Sequence, residues 1–291
     1  MLSRRGLIAL ALAAFVAPAV AETPKIPVVA SFSIIGDFVR EVGGDRVSVA
    51  TIVGPDGDAH VYQPSPADGR KIAQARLIFV NGLGFEGWIE RLIAAAKGKG
   101  TVVTLGKGVA ARAGEEGADP HAWQDVGNAK IYISAIRDAL KAVDAQGAET
   151  YEANAAAYLS KLDALDAEIV KTFSNIPKER RRVVSTHDAF GYFAQRYGVE
   201  FIAPQGLSTE ADVSARDLAK IIRSVKQNEV SAVFLENIAD PRLAKRIAAE
   251  TGARVGGELY SDALSDAKGD GATYIDMMRH NARELAKALA P

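Results

Sequence analysis

From residue 27 onward, the chain alternates short apolar runs typical of β-strands with amphipathic stretches of helical period. In the first half the predicted strands are 28–31, 47–52, 77–80 and 101–105, and helices are predicted at 35–42, 66–75 and 85–95. The alternation resumes after residue 180, with segments at 182–186, 189–197, 199–202, 215–227, 232–235, 241–251 and 274–288. Such alternation predicts parallel sheets with helices on their faces. The fold class predicted is therefore α/β, with two lobes.

The segment between the two halves has a different pattern. Apolar side chains recur there at spacings of three and four residues, at Tyr151, Ala155, Tyr158, Leu162, Leu165, Ile169 and Phe173. This is one stripe on one helix face. A helix over 148–174 would be about 40 Å long at 1.5 Å per residue, which suits a rigid connection between the lobes. Two shorter helices broken near Ser160 are the alternative.

The first 21 residues resemble an export signal and set the domain limits. Arg4 and Arg5 precede an apolar run, and Ala19-Val20-Ala21 has the small residues of a cleavage site. The run is too short for a membrane span, which needs roughly 20 residues, although a retained N-terminal anchor is the alternative. The paired arginines fit either the general or the twin-arginine route. The predicted divisions are a signal at 1–21, a lobe at 22–147, the helix at 148–174 and a lobe at 175–291.

Charge and cysteine content restrict the possible partners and metal ligands. Removal of the signal removes two arginines and leaves 33 basic against 36 acidic side chains, so a nucleic-acid partner is not expected. The chain contains no cysteine. Thiolate ligands, disulfides and a lipid-bearing N-terminal cysteine are therefore not expected. These features predict a periplasmic protein without a lipid anchor, in which any metal site uses imidazole and carboxylate groups.

One motif suggests a cofactor but lacks its essential partner. Residues 82–87 (GLGFEG) match the glycine pattern of dinucleotide-binding folds. That site also needs an acidic residue about 20 positions later, whereas residues 105–108 are LGKG. The glycines are better explained by a tight turn between a strand and a helix. Motifs of serine hydrolases, zinc proteases and phosphate-binding loops are absent.

Three of the four histidines occupy comparable positions in the predicted lobes. His60 lies in a loop after a strand, His187 lies at the C-terminal end of a strand, and His121 lies just before a helix. Ligands of open parallel sheets bind beyond the carboxyl ends of the strands, so these three could face one crevice. A lone histidine is more often structural, but three placed alike suit Zn²⁺. His280 lies in the last helix and is interpreted as structural.

Five segments resemble the zinc- and manganese-specific receptors of ABC importers, known as cluster A-I solute-binding proteins. They are 58–64 (DAHVYQP), 81–88 (NGLGFEGW), 119–123 (DPHAW), 186–192 (THDAFGY) and 256–264 (GGELYSDAL). They occur in the family's order and span nearly all of the chain after the signal. The resemblance implies two α/β lobes joined by a long helix, with one divalent ion bound between them.

The resemblance also implies the ligands. His60 and His121 would come from the first lobe, and His187 and Asp262 from the second. Asp262 alone would pass for a turn or capping residue. Three imidazoles and one carboxylate suit one Zn(II) per chain. Manganese-type members commonly have a carboxylate where this chain has His187, and Mn(II) prefers oxygen ligands, so Mn(II) is the alternative.

The resemblance has one departure. Many zinc-binding members have a long loop rich in histidine and acidic residues before the second ligand, whereas residues 111–118 (ARAGEEGA) are short and contain no histidine. Either this receptor works without the loop, or a natural loop has been deleted. The departure affects assisted capture of the metal rather than the site itself.

The function expected is capture of zinc and its delivery to an inner-membrane ABC permease by a monomer, with a periplasmic metallochaperone as a possible donor. The long helix would restrict closure to small shifts of the lobes and ordering of loops. A zinc-dependent hydrolase is the enzymatic alternative, but Asp262 as fourth ligand would fill the position that catalysis needs open. An adhesin-like surface protein is less favoured. Asp188, Glu210 and Glu236 are candidates for orienting the imidazoles.

Overall fold

The structure is a computed structural model that describes residues 24–114, 117–227, 230 and 232–290. The predicted export signal at 1–21 lies outside the described residues. Two four-stranded parallel sheets form the frame, with strand orders β2-β1-β3-β4 in the first lobe and β10-β9-β7-β8 in the second when strands are numbered along the chain. Helices flank both sheets, so the predicted α/β fold with two lobes is confirmed.

The first lobe contains the first four helices and six strands. Its strands are β1 (Ile26–Phe32), β2 (Val47–Val53), β3 (Leu77–Val80), β4 (Thr101–Thr104), β5 (Ala113–Gly114) and β6 (Gly117–Ala118). Its helices are α1 (Ser33–Gly43), α2 (Pro66–Gln74), α3 (Ile89–Ala96) and α4 (Val126–Val143). The short antiparallel pair β5–β6 lies directly before the second predicted ligand.

The second lobe repeats the plan with shorter strands. Its strands are β7 (Arg182–Val184), β8 (Glu200–Ile202), β9 (Ala232–Glu236) and β10 (Arg254–Leu259). Its helices are α6 (Gly191–Tyr197), α7 (Ala215–Gln227), α8 (Pro241–Thr251) and α9 (Tyr274–Leu289). In both lobes the carboxyl ends of the strands face the crevice between the lobes, which is where ligands of such sheets bind.

One unbroken helix, α5 (Ala148–Ser174), joins the lobes, so the alternative of two helices is wrong. Its buried residues are Tyr151, Ala155, Tyr158, Leu162, Leu165, Ile169 and Phe173, the same seven positions as the predicted stripe. The helix packs against α1 and α4 of the first lobe and against α6 and α9 of the second. Its apolar face is thus shared by both lobes.

The predicted helix 85–95 begins later than expected, at Ile89. The preceding residues form a turn in which Gly82, Leu83 and Gly84 all have positive φ (78°, 56° and 85°), a conformation that glycine adopts without strain. The glycines of the dinucleotide-like motif therefore serve a turn between β3 and α3. The strand β10 was not predicted, because Gly256 and Gly257 interrupt its apolar pattern at an irregularity in its pairing with β9.

One large hydrophobic core extends through both lobes by way of α5. It includes Phe38 of the first lobe, Leu165 of the connecting helix and Tyr274 of the second lobe, and a smaller separate core lies under α7 and α8. None of the helices in the described part of the chain has the length and apolar composition that a membrane crossing requires. The shared core therefore joins the two lobes through the connecting helix.

We expect Leu165→Ala to lower the free energy of unfolding by about 2–5 kcal/mol, because it leaves a cavity in the core that joins the lobes. Urea denaturation monitored by circular dichroism measures the change. Val170→Ala is the matched control, since Val170 lies on the same helix and is 50% exposed. The control should stay within about 0.5 kcal/mol of the parent protein. Equal losses in both variants would contradict a packing role for the stripe.

Candidate metal centre

The four predicted ligands follow different elements and meet in the crevice. His60 lies in the loop after β2, and His121 lies between β6 and α4. His187 follows β7, and Asp262 follows β10. The side chain of His60 is 4% exposed and the other three are fully buried. Both lobes thus contribute two polar side chains to one enclosed site.

The loop of His60 is connected to the second lobe through one aspartate. Asp58 Oδ1 accepts a hydrogen bond from the His60 backbone N (2.9 Å), which fixes the turn that presents the imidazole. Asp58 Oδ2 accepts from Thr209 Oγ1 (2.6 Å), which lies in the loop after β8. The imidazole also meets the ring of Phe85 edge-on, with 4.7 Å between ring centroids. The position of His60 therefore depends on contacts from both lobes.

His121 is oriented by the aspartate two residues before it. The backbone N and the Nδ1 of His121 both donate to Asp119 Oδ1, over 3.0 and 2.9 Å. The other oxygen of Asp119 accepts from Arg112 (2.8 Å). Because Nδ1 carries the proton that Asp119 accepts, Nε2 is the nitrogen left to bind a metal, and it points into the site.

His187 has an equivalent arrangement in the second lobe. Its Nδ1 donates to Glu236 Oε2 (2.6 Å), a carboxylate at the C-terminal end of β9. Glu236 Oε1 accepts from the backbone N of Thr186 and of His187, over 2.6 and 3.0 Å. The glutamate thereby holds both the ring and the chain that carries it, and Nε2 of His187 faces the site.

The loop that carries Asp262 is bonded to the first lobe. The carbonyl of Ser261 accepts from Trp123 Nε1 (2.9 Å) and from Gln124 Nε2 (2.7 Å). On the other side of Asp262, the backbone N of Leu264 donates to Ser33 Oγ (2.9 Å). Asp262 is therefore a residue of the second lobe whose position is set by side chains of the first.

The donor atoms of the four residues are close enough to share one ion. Nε2 of His60 lies 3.3 Å from Nε2 of His121 and 3.1 Å from Asp262 Oδ2. Asp262 Oδ2 is 3.2 Å from His187 Nε2, and Asp262 Oδ1 is 3.6 Å from His121 Nε2. All four donors lie within 4.8 Å of one another. Ligands of a tetrahedral Zn²⁺ with bonds of about 2.0–2.1 Å are about 3.3 Å apart, so the spacing fits a metal.

The carboxylate of Asp262 also lacks a full set of protein partners. Its Oδ1 is buried and accepts no hydrogen bond from the protein. A buried carboxylate oxygen without a donor is costly, and a cation bound between the imidazoles would satisfy it. This atom and the spacing of the nitrogen donors point to the same position for a cation.

The electrostatics favour protons on the imidazoles when no metal is bound. Burial lowers the pKa of His187, but the carboxylates of Glu236 and Asp262 outweigh it and hold the pKa well above its usual value. Burial likewise lowers the pKa of His121, whereas Asp262 and Asp119 raise it further, so that it is also above normal. Burial raises the pKa of Asp262, but the two histidines hold it well below its usual range.

The residues suggested as orienting groups have different positions. Glu236 contacts a predicted ligand, as described above. Glu210 is exposed at the rim of the crevice, and its backbone N donates to Ser208 Oγ. Asp188 is partly buried, and its backbone N donates to the carbonyl of Gln205. Asp119 was not suggested, although its position two residues before a histidine suits a carboxylate that accepts from the following backbone.

His280 lies apart from the cluster, as expected. The residue lies on a buried face of α9 and is only 8% exposed. Its Nε2 donates to the carbonyl of Glu258 (2.9 Å), and the neighbouring Asn281 bonds both the N and the O of Tyr260. These side chains lie beside β10, which is an edge strand of its sheet in the part of the chain that the structure describes.

Comparison with known proteins identifies the family. A family model described as the periplasmic component A of a zinc-uptake complex matches residues 28–288. The chain belongs to this family. Its members are solute-binding proteins of ABC transporters and not enzymes, so the alternative of a zinc-dependent hydrolase is wrong. The protein is a metal-binding receptor whose partner is a membrane permease.

Individual relatives carry different metals in their names. The chain is 36% identical over 268 residues to the manganese-binding lipoprotein MntA of Halalkalibacterium halodurans, covering 91% of this chain and 89% of the relative. It is 37% identical over 268 residues to the iron-binding protein YfeA of Yersinia pestis, covering 90% and 86%. The periplasmic zinc-binding protein TroA from Treponema pallidum superimposes with a TM-score of 0.89 at 30% identity, over 92% of this chain and all of that one.

The prediction of a periplasmic protein without a lipid anchor is contradicted by these relatives. MntA and several streptococcal relatives are named lipoproteins. The prediction depended on the absence of cysteine from the chain, whereas several of the relatives that the chain matches are named lipoproteins. A role outside the cytoplasm agrees with both observations.

We expect the affinity for zinc to fall as the pH is lowered from about 8 to about 5. The raised pKa values of His121 and His187 favour protonated rings in the metal-free protein, and ligation requires an unprotonated Nε2. Competitive chelator titration across this range measures the affinity. Calorimetry in buffers of different ionisation enthalpy counts the protons released. Equal affinity at both ends of the range would contradict the assignment of imidazole ligands.

We expect Glu236→Gln to weaken zinc binding about 10- to 100-fold, the usual effect of losing a group that orients a metal ligand. The amide oxygen can still accept hydrogen bonds from the backbone N of residues 186 and 187, but the amide NH₂ would donate to Nδ1 of His187. This favours the tautomer with the proton on Nε2, the nitrogen that has to bind the metal. Glu210→Gln is the matched control, since Glu210 is exposed at the rim. Similar affinities for both variants would rule out an orienting role for Glu236.

Proposed function

We propose that this protein is a zinc receptor that binds one Zn(II) through His60, His121, His187 and Asp262 and delivers it to the permease of an ABC importer. The observation that supports this most directly is the convergence of three imidazole Nε2 atoms and one carboxylate in a buried site, with donor spacings near those of a tetrahedral ion. Nitrogen donors outnumber oxygen donors, which favours Zn²⁺ over harder ions.

Manganese is the second candidate, and two observations favour it. The relative MntA is named for manganese, and both oxygens of Asp262 face the imidazoles, Oδ2 towards His60 and His187 and Oδ1 towards His121. A carboxylate bound through both oxygens would give five protein donors, closer to the higher coordination number that Mn²⁺ prefers. The proposal for zinc depends on the three imidazoles outweighing this oxygen contribution.

Binding would work without covalent chemistry. The ion replaces the protons on the imidazoles and holds the loops after β2, β7 and β10 together. Since the first lobe already bonds the Asp262 loop and α5 carries one core through both lobes, capture needs only small movements of loops. The surface formed by both lobes around the filled crevice would be the one that the permease recognises.

Two further proposals concern the partners. We propose that the protein acts as a monomer, in which the metal site is complete within one chain. Residues 111–118 contain no histidine that could capture the metal first. A periplasmic metallochaperone would then load the metal site in place of a histidine-rich loop. Transfer would then take place at the rim of the crevice, where His60 is the predicted ligand closest to solvent.

A competitive chelator titration of the metal-free protein with Zn²⁺, in parallel with Mn²⁺, tests the proposal. One tight equivalent of zinc is expected. His187→Ala should weaken it by more than about 100-fold, because groups that only orient a ligand already contribute about 10- to 100-fold. His280→Gln is the matched control, since it removes an imidazole outside the cluster and keeps a donor for the Glu258 carbonyl.

The outcomes separate the candidates. Manganese bound as tightly as zinc would support the second candidate and overturn the zinc proposal. Loss of zinc binding in His280→Gln to the same extent as in His187→Ala would show that the cluster is not the site. Tight binding of more than one zinc per chain would indicate ligands beyond the four residues.

A further inference from the structure

We propose that Phe85 determines metal specificity by excluding water from the side of the ion that faces solvent, an inference that rests on the proposed function. The ring of Phe85 is buried, with 1% exposure, and Phe85 is not one of the four predicted metal ligands. It lies edge-on to His60, with 4.7 Å between centroids, and 6.0 Å from the ring of His121. Phe85 is thus the apolar neighbour shared by both imidazoles of the first lobe.

The approach from solvent to the site is a cavity of about 350 Å³ between the lobes. Of the four predicted ligands, only His60 lines it. Apolar side chains form much of the rest of its wall, namely Leu83, Phe85 and Pro120 from the first lobe and Leu207 from the second. A water molecule that added to the ion would have to pass from this cavity into the space beside the Phe85 ring.

The position of Phe85 is fixed from behind. Phe85 follows directly after the turn at Gly82–Gly84. The carboxylate of the next residue, Glu86, holds this turn by accepting hydrogen bonds from the backbone N of Asn81 (2.7 Å), the backbone N of Gly82 (3.1 Å) and Ser31 Oγ (2.6 Å). The ring then packs against Phe32 and Trp123, with centroids 4.9 and 4.8 Å away. A ring held in this way cannot easily move aside to admit a water ligand.

Exclusion of water has different consequences for different ions. Zn²⁺ is satisfied by four protein ligands, whereas Mn²⁺ prefers about six, mostly oxygens. A site that supplies only three nitrogens and one carboxylate, and admits no water, leaves Mn²⁺ short of ligands. Phe85 would therefore act on specificity without touching the ion.

Co²⁺ is the probe for the test, because its visible absorption is strong when it has four ligands and weak when it has six. The cobalt-loaded parent protein should absorb strongly, and Phe85→Ala should lose most of that intensity as water enters. Phe38→Ala is the matched control, since Phe38 is a buried ring of the same lobe that packs on Tyr132, Tyr158 and Tyr274 and does not line the cavity. It should keep the intensity of the parent.

The ratio of zinc to manganese affinity gives a second measurement. It should fall at least about tenfold in Phe85→Ala, as one added ligand worth about 1.4 kcal/mol would produce, and should be unchanged in Phe38→Ala. If an alanine variant does not fold, Phe85→Leu and Phe38→Leu allow the same comparison with a smaller change in volume.

Weak cobalt absorption in the parent protein, or equal intensity in parent and Phe85→Ala, would overturn the role of Phe85. Tight binding of zinc in the parent would then leave the receptor proposal standing. Failure of the parent protein to bind one equivalent of either zinc or cobalt would instead contradict the receptor proposal itself.

Discussion

The burial of the Asp262 carboxylate among three imidazoles is the constraint on which the site depends. A carboxylate removed from water needs compensating charge and hydrogen-bond donors, and Oδ1 of Asp262 has no protein donor. The raised pKa values of His121 and His187 favour protons that supply this charge when the metal is absent, and a bound divalent ion would supply it instead. The carboxylates of Asp119 and Glu236, which bond the outer nitrogens of His121 and His187, raise the affinity of the site for positive charge further. Arg112 partly neutralises Asp119.

The architecture meets this requirement by joining the lobes on both sides of the crevice. Behind it, α5 carries one apolar face that packs on helices of both lobes, so the core is continuous. Within it, Trp123 and Gln124 of the first lobe hold the Asp262 loop of the second. With this architecture we expect binding through loops on a fixed frame, in contrast to receptors whose domains swing on a flexible hinge.

Sequence periodicity predicted the long connecting helix well, because a helix with one buried face has apolar residues at regular spacings of three and four. All seven residues of the predicted α5 stripe are buried. The three histidines could be predicted from their places at strand ends or before a helix. Asp262 could be assigned only by resemblance, since an aspartate in a loop is usually a turn or cap residue. Asp119 and the late start of α3 were missed, because both depend on local hydrogen bonds of a carboxylate to backbone that no apolar pattern reveals.

Selectivity for one ion requires more than the spacing of the four donors. An octahedral ion with bonds near 2.1 Å would also place neighbouring ligands about 3 Å apart, close to the tetrahedral value. The type of donor and the number of ligands therefore have to decide between zinc and manganese. The protein fixes the type through three imidazoles, but the number depends on water. Because His121, His187 and Asp262 are fully buried whereas His60 and Phe85 line the cavity, water would reach the ion past His60 and the ring of Phe85, and that side of the crevice would determine the metal specificity.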